Sequence, residues 1–248
     1  MSRTEIVVHS SAELLAAAAA ARLVTRLIDR QAAGDIPAVA LTGGGTGIAV
    51  LKQLAASPAR DAVDWSRVEI YWGDERFVPA ADPERNAGQA WTALLDRLPL
   101  DPGRVHEMAA SDGEFGDDMD AAAAAYAGGL PESFDVVLLG MGPEGHVASV
   151  FPDSPAVRDN RPVVAVRDCP KPPPNRISLT LPTIRTADEV WMLVAGDGKA
   201  DAVERAVGGA PESDLPAAGA LGMSVTRWLL DPGAASGLPA DGARGPGH

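Results

Sequence analysis

The chain has 248 residues, 46% of them hydrophobic and 22% charged, enough for one large α/β domain or two small ones whose core needs neither disulfides nor metals. Its formal net charge of −13 argues against nucleic acid or an anionic membrane as a partner, since both call for a basic surface. The single cysteine, Cys169, excludes an internal disulfide and a thiolate-rich metal site, and it suits a reducing compartment.

Arg3 and Glu5 open the chain without an apolar targeting region, and no run approaches the roughly 20 apolar residues of a membrane span, so the expected location is cytoplasmic. Glu5–His9 is a short β-rich run. Ser10 and Glu13 have capping-box spacing, and Val24, Leu27 and Ile28 place an apolar stripe on the helix that follows, which includes the alanine run at 16–21. Ala38–Leu41 reads as a buried strand running into Thr42-Gly43-Gly44-Gly45-Thr46-Gly47, with a helix over Ile48–Ala56. Val68–Trp72 is a third strand, ending at Gly73-Asp74-Glu75-Arg76, and a helix covers about 84–98. An alanine-rich helix near 117–128 precedes the strand Phe134–Leu139, which ends at Gly140-Met141-Gly142-Pro143-Glu144-Gly145-His146.

Pro162–Arg167 and Ile177–Leu181 are two further strand candidates, separated by a proline cluster at 170–174. Val190–Val194 is a strong strand ending at Gly196-Asp197-Gly198-Lys199, with a helix from about 199 to 207, and Thr226–Leu230 is a last strand. The expected domain is 1–231; the Gly/Pro/Ala-rich stretch 232–248 is expected to be a disordered tail. Strands alternating with helices predict a single-domain, mostly parallel sheet covered on both faces by helices. In such sheets ligands bind beyond the carboxyl ends of the strands, where four of these strands run into glycine-rich or polar segments.

Those segments carry candidate chemistry. Gly43, Gly44 and Gly45 can turn their N–H groups toward an anion at the start of a helix, and phosphate is the natural ligand. The loop is neither a P-loop, which needs Gly-Lys-Ser/Thr, nor a dinucleotide fingerprint, because Ile48 stands where the third glycine would. Arg76 offers a bidentate partner for phosphate or carboxylate, and Asp74 either orients a base, accepts a sugar hydroxyl or bridges to Arg76. His146, in a glycine-bracketed loop after a buried strand, is the candidate general base, with a usual pKa of ~6.5. No second His or Cys stands at metal-ligand spacing, and Ser149 lies on no nucleophile elbow. A cation at a helix start is locally unfavourable, so Lys199 is better explained by an anionic ligand shared with that helix end. Arg176 serves either a substrate or a neighbouring carboxylate, and Cys169 reads as inert.

Together, Leu41–Thr46, Trp72–Pro79, Gly140–Pro152, Arg176–Pro182 and the Gly198-Lys199 turn resemble the 6-phosphogluconolactonase family from about residue 5 to 231. The resemblance implies a Rossmann-like α/β fold shared with glucosamine-6-phosphate deaminases and ribose-5-phosphate isomerases. Deaminase relatives usually continue past the loop histidine as Ile-Ala-Phe-Asn-Glu-Pro. Here Val147-Ala148-Ser149-Val150-Phe151-Pro152 favours the lactonase branch, and Glu144 stands where the lactonase pattern usually has Asp. The implied reaction is hydrolysis of 6-phospho-D-glucono-1,5-lactone in the oxidative pentose phosphate pathway, with no cofactor and no metal. His146 would activate water and Asp74 would orient the sugar or the histidine. Gly44, Gly45, Thr46 and Lys199, with Arg76 or Arg176, would hold the phosphate, and Asn86 joins the substrate-binding set. The implied partner is the phosphosugar lactone alone, bound by a monomer or small homo-oligomer. The rival readings are a sugar-phosphate isomerase/deaminase and a catalytically silent sugar-phosphate-binding regulator.

Overall fold

The structure is a computed structural model that describes residues 2–239. Nine strands run β1 (Arg3–Val8), β2 (Ala38–Leu41), β3 (Glu69–Trp72), β4 (Asp74–Arg76), β5 (Val136–Gly140), β6 (Val163–Val166), β7 (Arg176–Leu179), β8 (Glu189–Val194) and β9 (Val225–Leu230). The α-helices are α1 (Ala12–Ala32), α2 (Gly44–Ala56), α3 (Asn86–Ala93), α4 (Met119–Gly128), α5 (Leu181–Ile184), α6 (Ala200–Val207) and α7 (Pro216–Gly219).

Six strands pair in the order β1-β9-β8-β5-β2-β3, every pair parallel. Both faces are buried, which is why β2, β5 and β8 are continuous apolar runs in the sequence. Successive side chains point to opposite faces and so feed two cores. Val39, Leu41, Val136, Leu138, Trp191 and Leu193 pack against α1, α2 and α3. Ala38, Ala40, Val137, Leu139, Val190 and Met192 pack on the other side, against α4, α6 and a second sheet. On α1 the buried residues Leu15, Ala16, Ala19, Leu23, Val24 and Leu27 keep helical spacing, and its alanines allow close approach to α2.

A second, smaller sheet lies beside the mostly parallel one. β6 and β7 do not join the parallel sheet but pair antiparallel with β4, in the order β4-β7-β6. This small sheet shares with the helices the cover of one face of the parallel sheet. β4 is made of charged residues, and its pairing with β7 places Asp74 opposite Ser178 and Arg76 opposite Arg176.

Three boundaries also move. Ser11, not Ser10, caps α1 by accepting from Leu14 N at 3.1 Å. α2 begins at Gly44 rather than Ile48, so the glycines form its first turn. The tail expected from 232 does not begin there, because Ala234 is buried and the Asp231 carboxylate accepts from Ala234 N and Gly196 N at 2.8 and 3.0 Å. Ala235 and Leu238 also pack against the core; the rest of the expected tail, 240–248, lies outside the described residues.

Candidate active site

The sheet order reverses at β2. The chain leaves β2 for β3 on one side and later returns to place β5 on the other. Such a switch point opens a crevice beyond the carboxyl ends of the two strands. Here it is a cleft of about 330 Å³. All nine candidate site residues line it: Gly44, Gly45, Thr46, Asp74, Arg76, Asn86, His146, Arg176 and Lys199. Arg76, Lys171, Arg176 and Lys199 are its cations and Asp74 its carboxylate, so the local balance opposes the chain's net charge.

The floor is the start of α2. Gly43 is its N-cap, and no side chain caps the free N–H groups of its first turn. These amides and the positive end of the helix dipole form an anion cradle. Gly43 admits no side chain, because a Cβ there would overlap the Asn86 carboxamide.

That carboxamide belongs to a buried network. Asn86 donates from Nδ2 to Asp74 O at 2.8 Å and accepts from Arg76 Nη1 at 2.8 Å. Its polar atoms are thus occupied by protein, and it fixes Arg76 rather than reaching outward. Asp74 does not bridge to Arg76; it accepts from Ser149 Oγ at 2.6 Å and lies 3.9 Å from Arg176 Nη1. Arg76 Nε is buried without a hydrogen-bond partner, a cost that a bound anion would remove. Glu75, which carried no functional reading, caps α3 by accepting from Asn86 N at 2.7 Å and Ala87 N at 2.8 Å. Its burial pushes its pKa up against these bonds and the nearby Arg85 charge.

His146 sits at the end of the loop after β5, stacked on Phe151 with ring centroids 4.5 Å apart. Gly142 must be glycine because a Cβ there would meet the imidazole. The carboxylate beside the ring is Glu144, not Asp74: Glu144 Oε1 lies 3.1 Å from Nδ1, without aligned hydrogen-bond geometry. Burial holds the His146 pKa below its usual value; Glu144 pulls it up, Lys171 pushes it down and Asp74 adds a smaller upward pull. The lowered pKa favours the neutral imidazole, the form a general base needs. Burial raises the Glu144 pKa, but the hydrogen bond from Lys171, its own backbone amide and the neighbouring His146 and Lys171 charges outweigh that and keep it low.

Arg176 is largely committed to the chain. Its Nε donates to Pro173 O at 2.9 Å, and Nη2 donates to Lys171 O and Pro172 O at 3.2 and 3.1 Å, leaving Nη1 with no hydrogen bond and only the Asp74 carboxylate, 3.9 Å away. Lys199, the N-cap residue of α6, is half-buried, and among the described residues no carboxylate lies within ion-pair distance of it. Burial and then the Lys171 charge lower its pKa, against Asp231 and Glu144. Cys169 is buried and its thiol pKa is raised by that burial, which keeps it inert. The site residue without a sequence signal is Lys171, which stands in a proline cluster and meets Glu144 only through the fold.

A parallel sheet with this strand order, and a cationic cleft over a helix N-terminus at its switch point, defines a Rossmann-like α/β fold. Residues 10–228 match the family described as Glucosamine-6-phosphate isomerases/6-phosphogluconolactonase, and the chain belongs to that family. It is 58% identical over 247 residues to a 6-phosphogluconolactonase of Streptomyces coelicolor, covering 95% of each chain. It resembles the solved 6-phosphogluconolactonase of Trypanosoma brucei at 26% identity and a TM-score of 0.81, over 96% of this chain and 100% of that one. A monomeric glucosamine-6-phosphate deaminase shares the fold at a TM-score of 0.80 and 21% identity, over 94% of this chain and 99% of that one.

Proposed function

We propose that this chain is a lactone-hydrolysing carboxylic ester hydrolase that converts 6-phospho-D-glucono-1,5-lactone to 6-phosphogluconate in the oxidative pentose phosphate pathway, with His146 as general base. The Streptomyces and Trypanosoma relatives bear the lactonase name. The observation that carries the reading is a partly buried imidazole on the wall of a cationic cleft whose floor is a helix N-terminus. The amides of Gly44, Gly45 and Thr46 and the ammonium of Lys199 take the phosphate, and Arg176 adds Nη1. Asn86 contributes by fixing Arg76, and Asp74 accepts a sugar hydroxyl.

With Nδ1–H toward Glu144, the free Nε2 of His146 takes a proton from water as the oxygen attacks the lactone carbonyl carbon. Negative charge develops on the carbonyl oxygen, and Arg76 stabilises it, a contribution worth about 3–4 kcal/mol for one well-placed donor. Collapse breaks the bond to the ring oxygen, which receives the proton from the imidazolium. Water has then added OH to the carbonyl carbon and H to the ring oxygen, and the new carboxylic acid ionises. No step calls on a metal or nucleotide.

The test is turnover of freshly made 6-phosphogluconolactone with its spontaneous hydrolysis subtracted. His146→Gln should lower kcat by about 10²–10⁴-fold while leaving phosphosugar binding nearly intact. Near-normal turnover by the variant removes His146 as the base. Ammonia release from glucosamine 6-phosphate without lactone turnover overturns the substrate.

A further inference from the structure

We infer that Lys171, held over the cleft by a proline strap clamped by Arg176, is a positioning residue that fixes Glu144 against His146. The inference rests on the reading of His146 as the base.

The strap is the segment Pro170-Lys171-Pro172-Pro173-Pro174 between β6 and β7. Proline fixes φ and removes a donor, so the segment is stiff but contributes carbonyls with no regular partner. Arg176 supplies those partners, donating to the carbonyls of Lys171, Pro172 and Pro173 from a buried guanidinium. Cys169 N closes the strap by donating to Pro174 O at 2.9 Å. A long lysine side chain loses much rotamer freedom when pinned, and here the backbone beneath it is already fixed.

From that base Nζ reaches both oxygens of Glu144, at 2.8 Å to Oε1 and 3.0 Å to Oε2. Oε1 is also the atom 3.1 Å from His146 Nδ1. The ammonium and the imidazole thus both lie beside one carboxylate oxygen. Two consequences follow from charge alone. Glu144 stays ionised beside Nδ1, and that charge favours the tautomer with the proton on Nδ1 and Nε2 free. The Lys171 charge also offsets part of the upward pull of Glu144 on the imidazole and so favours its neutral form. The charged groups bearing on His146 are Glu144 from its own loop, Lys171 from the strap and Asp74 from β4; Phe151 covers a ring face.

Lys171→Met keeps the stem and deletes the charge. Lys171 Nζ and His146 Nδ1 are each near 3 Å from the same oxygen and so at most about 6 Å apart. Losing a unit charge at that range, along a partly solvated path, should raise the His146 pKa by about 0.5–1 unit. The acid limb of kcat/KM should move up by the same amount, so activity falls several-fold on that limb and stays unchanged on the plateau above it. Lys171→Arg should restore the wild-type limb. The imidazole titration is read separately by NMR on the full-length protein, with His146→Gln assigning the resonance. An unchanged His146 titration in a folded Lys171→Met protein overturns the inference, as does a rise in KM alone at every pH. A shifted titration with an unshifted rate profile leaves Lys171 in place and removes His146 as the base.

Discussion

Lys199 separates the cost of a binding group from its use. A half-buried ammonium with no carboxylate partner among the described residues is an unfavourable arrangement in the free protein. Bound phosphate would complete it with a charge-assisted contact of roughly 1.5–3 kcal/mol. Lys199→Met should therefore lower kcat/KM for the phosphorylated lactone by about 10–100-fold, at one decade per 1.4 kcal/mol. Slow turnover of unphosphorylated glucono-lactone should barely change. The same substitution should stabilise the free protein. The folded-state pKa of Lys199 is lowered, so carrying the charge opposes folding at every pH below that value. The penalty is full at pH 7 and fades as pH rises through the folded pKa toward the unfolded one. The variant's Tm in phosphate-free buffer should thus exceed wild type by on the order of 1–2 °C at pH 7, with the gap narrowing in alkali. Equal losses for the two lactones, or a Tm that falls with activity, would refute the assignment.

Gly142→Ala should push the imidazole off its position and cut kcat by about 100-fold with little change in KM, since a displacement near 1 Å suffices; wild-type kcat would show that the loop yields. Glu144→Gln removes the group that pulls the His146 pKa up, so the acid limb of kcat/KM should move to lower pH by about half a unit, opposite to Lys171→Met. A limb that stays put, or moves up, would place the controlling charge elsewhere. Prolonged EDTA treatment with verified metal removal should leave lactone turnover unchanged; loss restored by one added metal would sink the metal-free mechanism.

The parts of this protein that are legible in its sequence are those where one physical demand acts on consecutive residues. Ala38–Leu41 must be apolar throughout because both faces of β2 are covered, and its limits read directly from the sequence. The glycine turn after it is equally local, since Gly43 and the start of α2 are adjacent in the chain. Asp74-Glu75-Arg76 fails this test. Three charges read as a loop, yet they form β4, because Glu75 is satisfied by amides of Asn86 and Ala87 and Asp74 by Ser149, all distant in sequence. The Gly/Pro/Ala composition after Asp231 misleads for a similar reason: the Asp231 carboxylate binds Gly196 N and Ala234 N, and Ala234, Ala235 and Leu238 pack on a core built from distant residues. Lys171 is the sharpest case. Its neighbours announce only a stiff loop, and its partner Glu144 lies 27 positions away. What joins them is the antiparallel return of β6 and β7, which carries the strap back over the loop after β5. Residues that bind with their own backbone can therefore be found by reading along the chain, whereas residues that act by charge on a distant neighbour emerge only from the topology that brings them together.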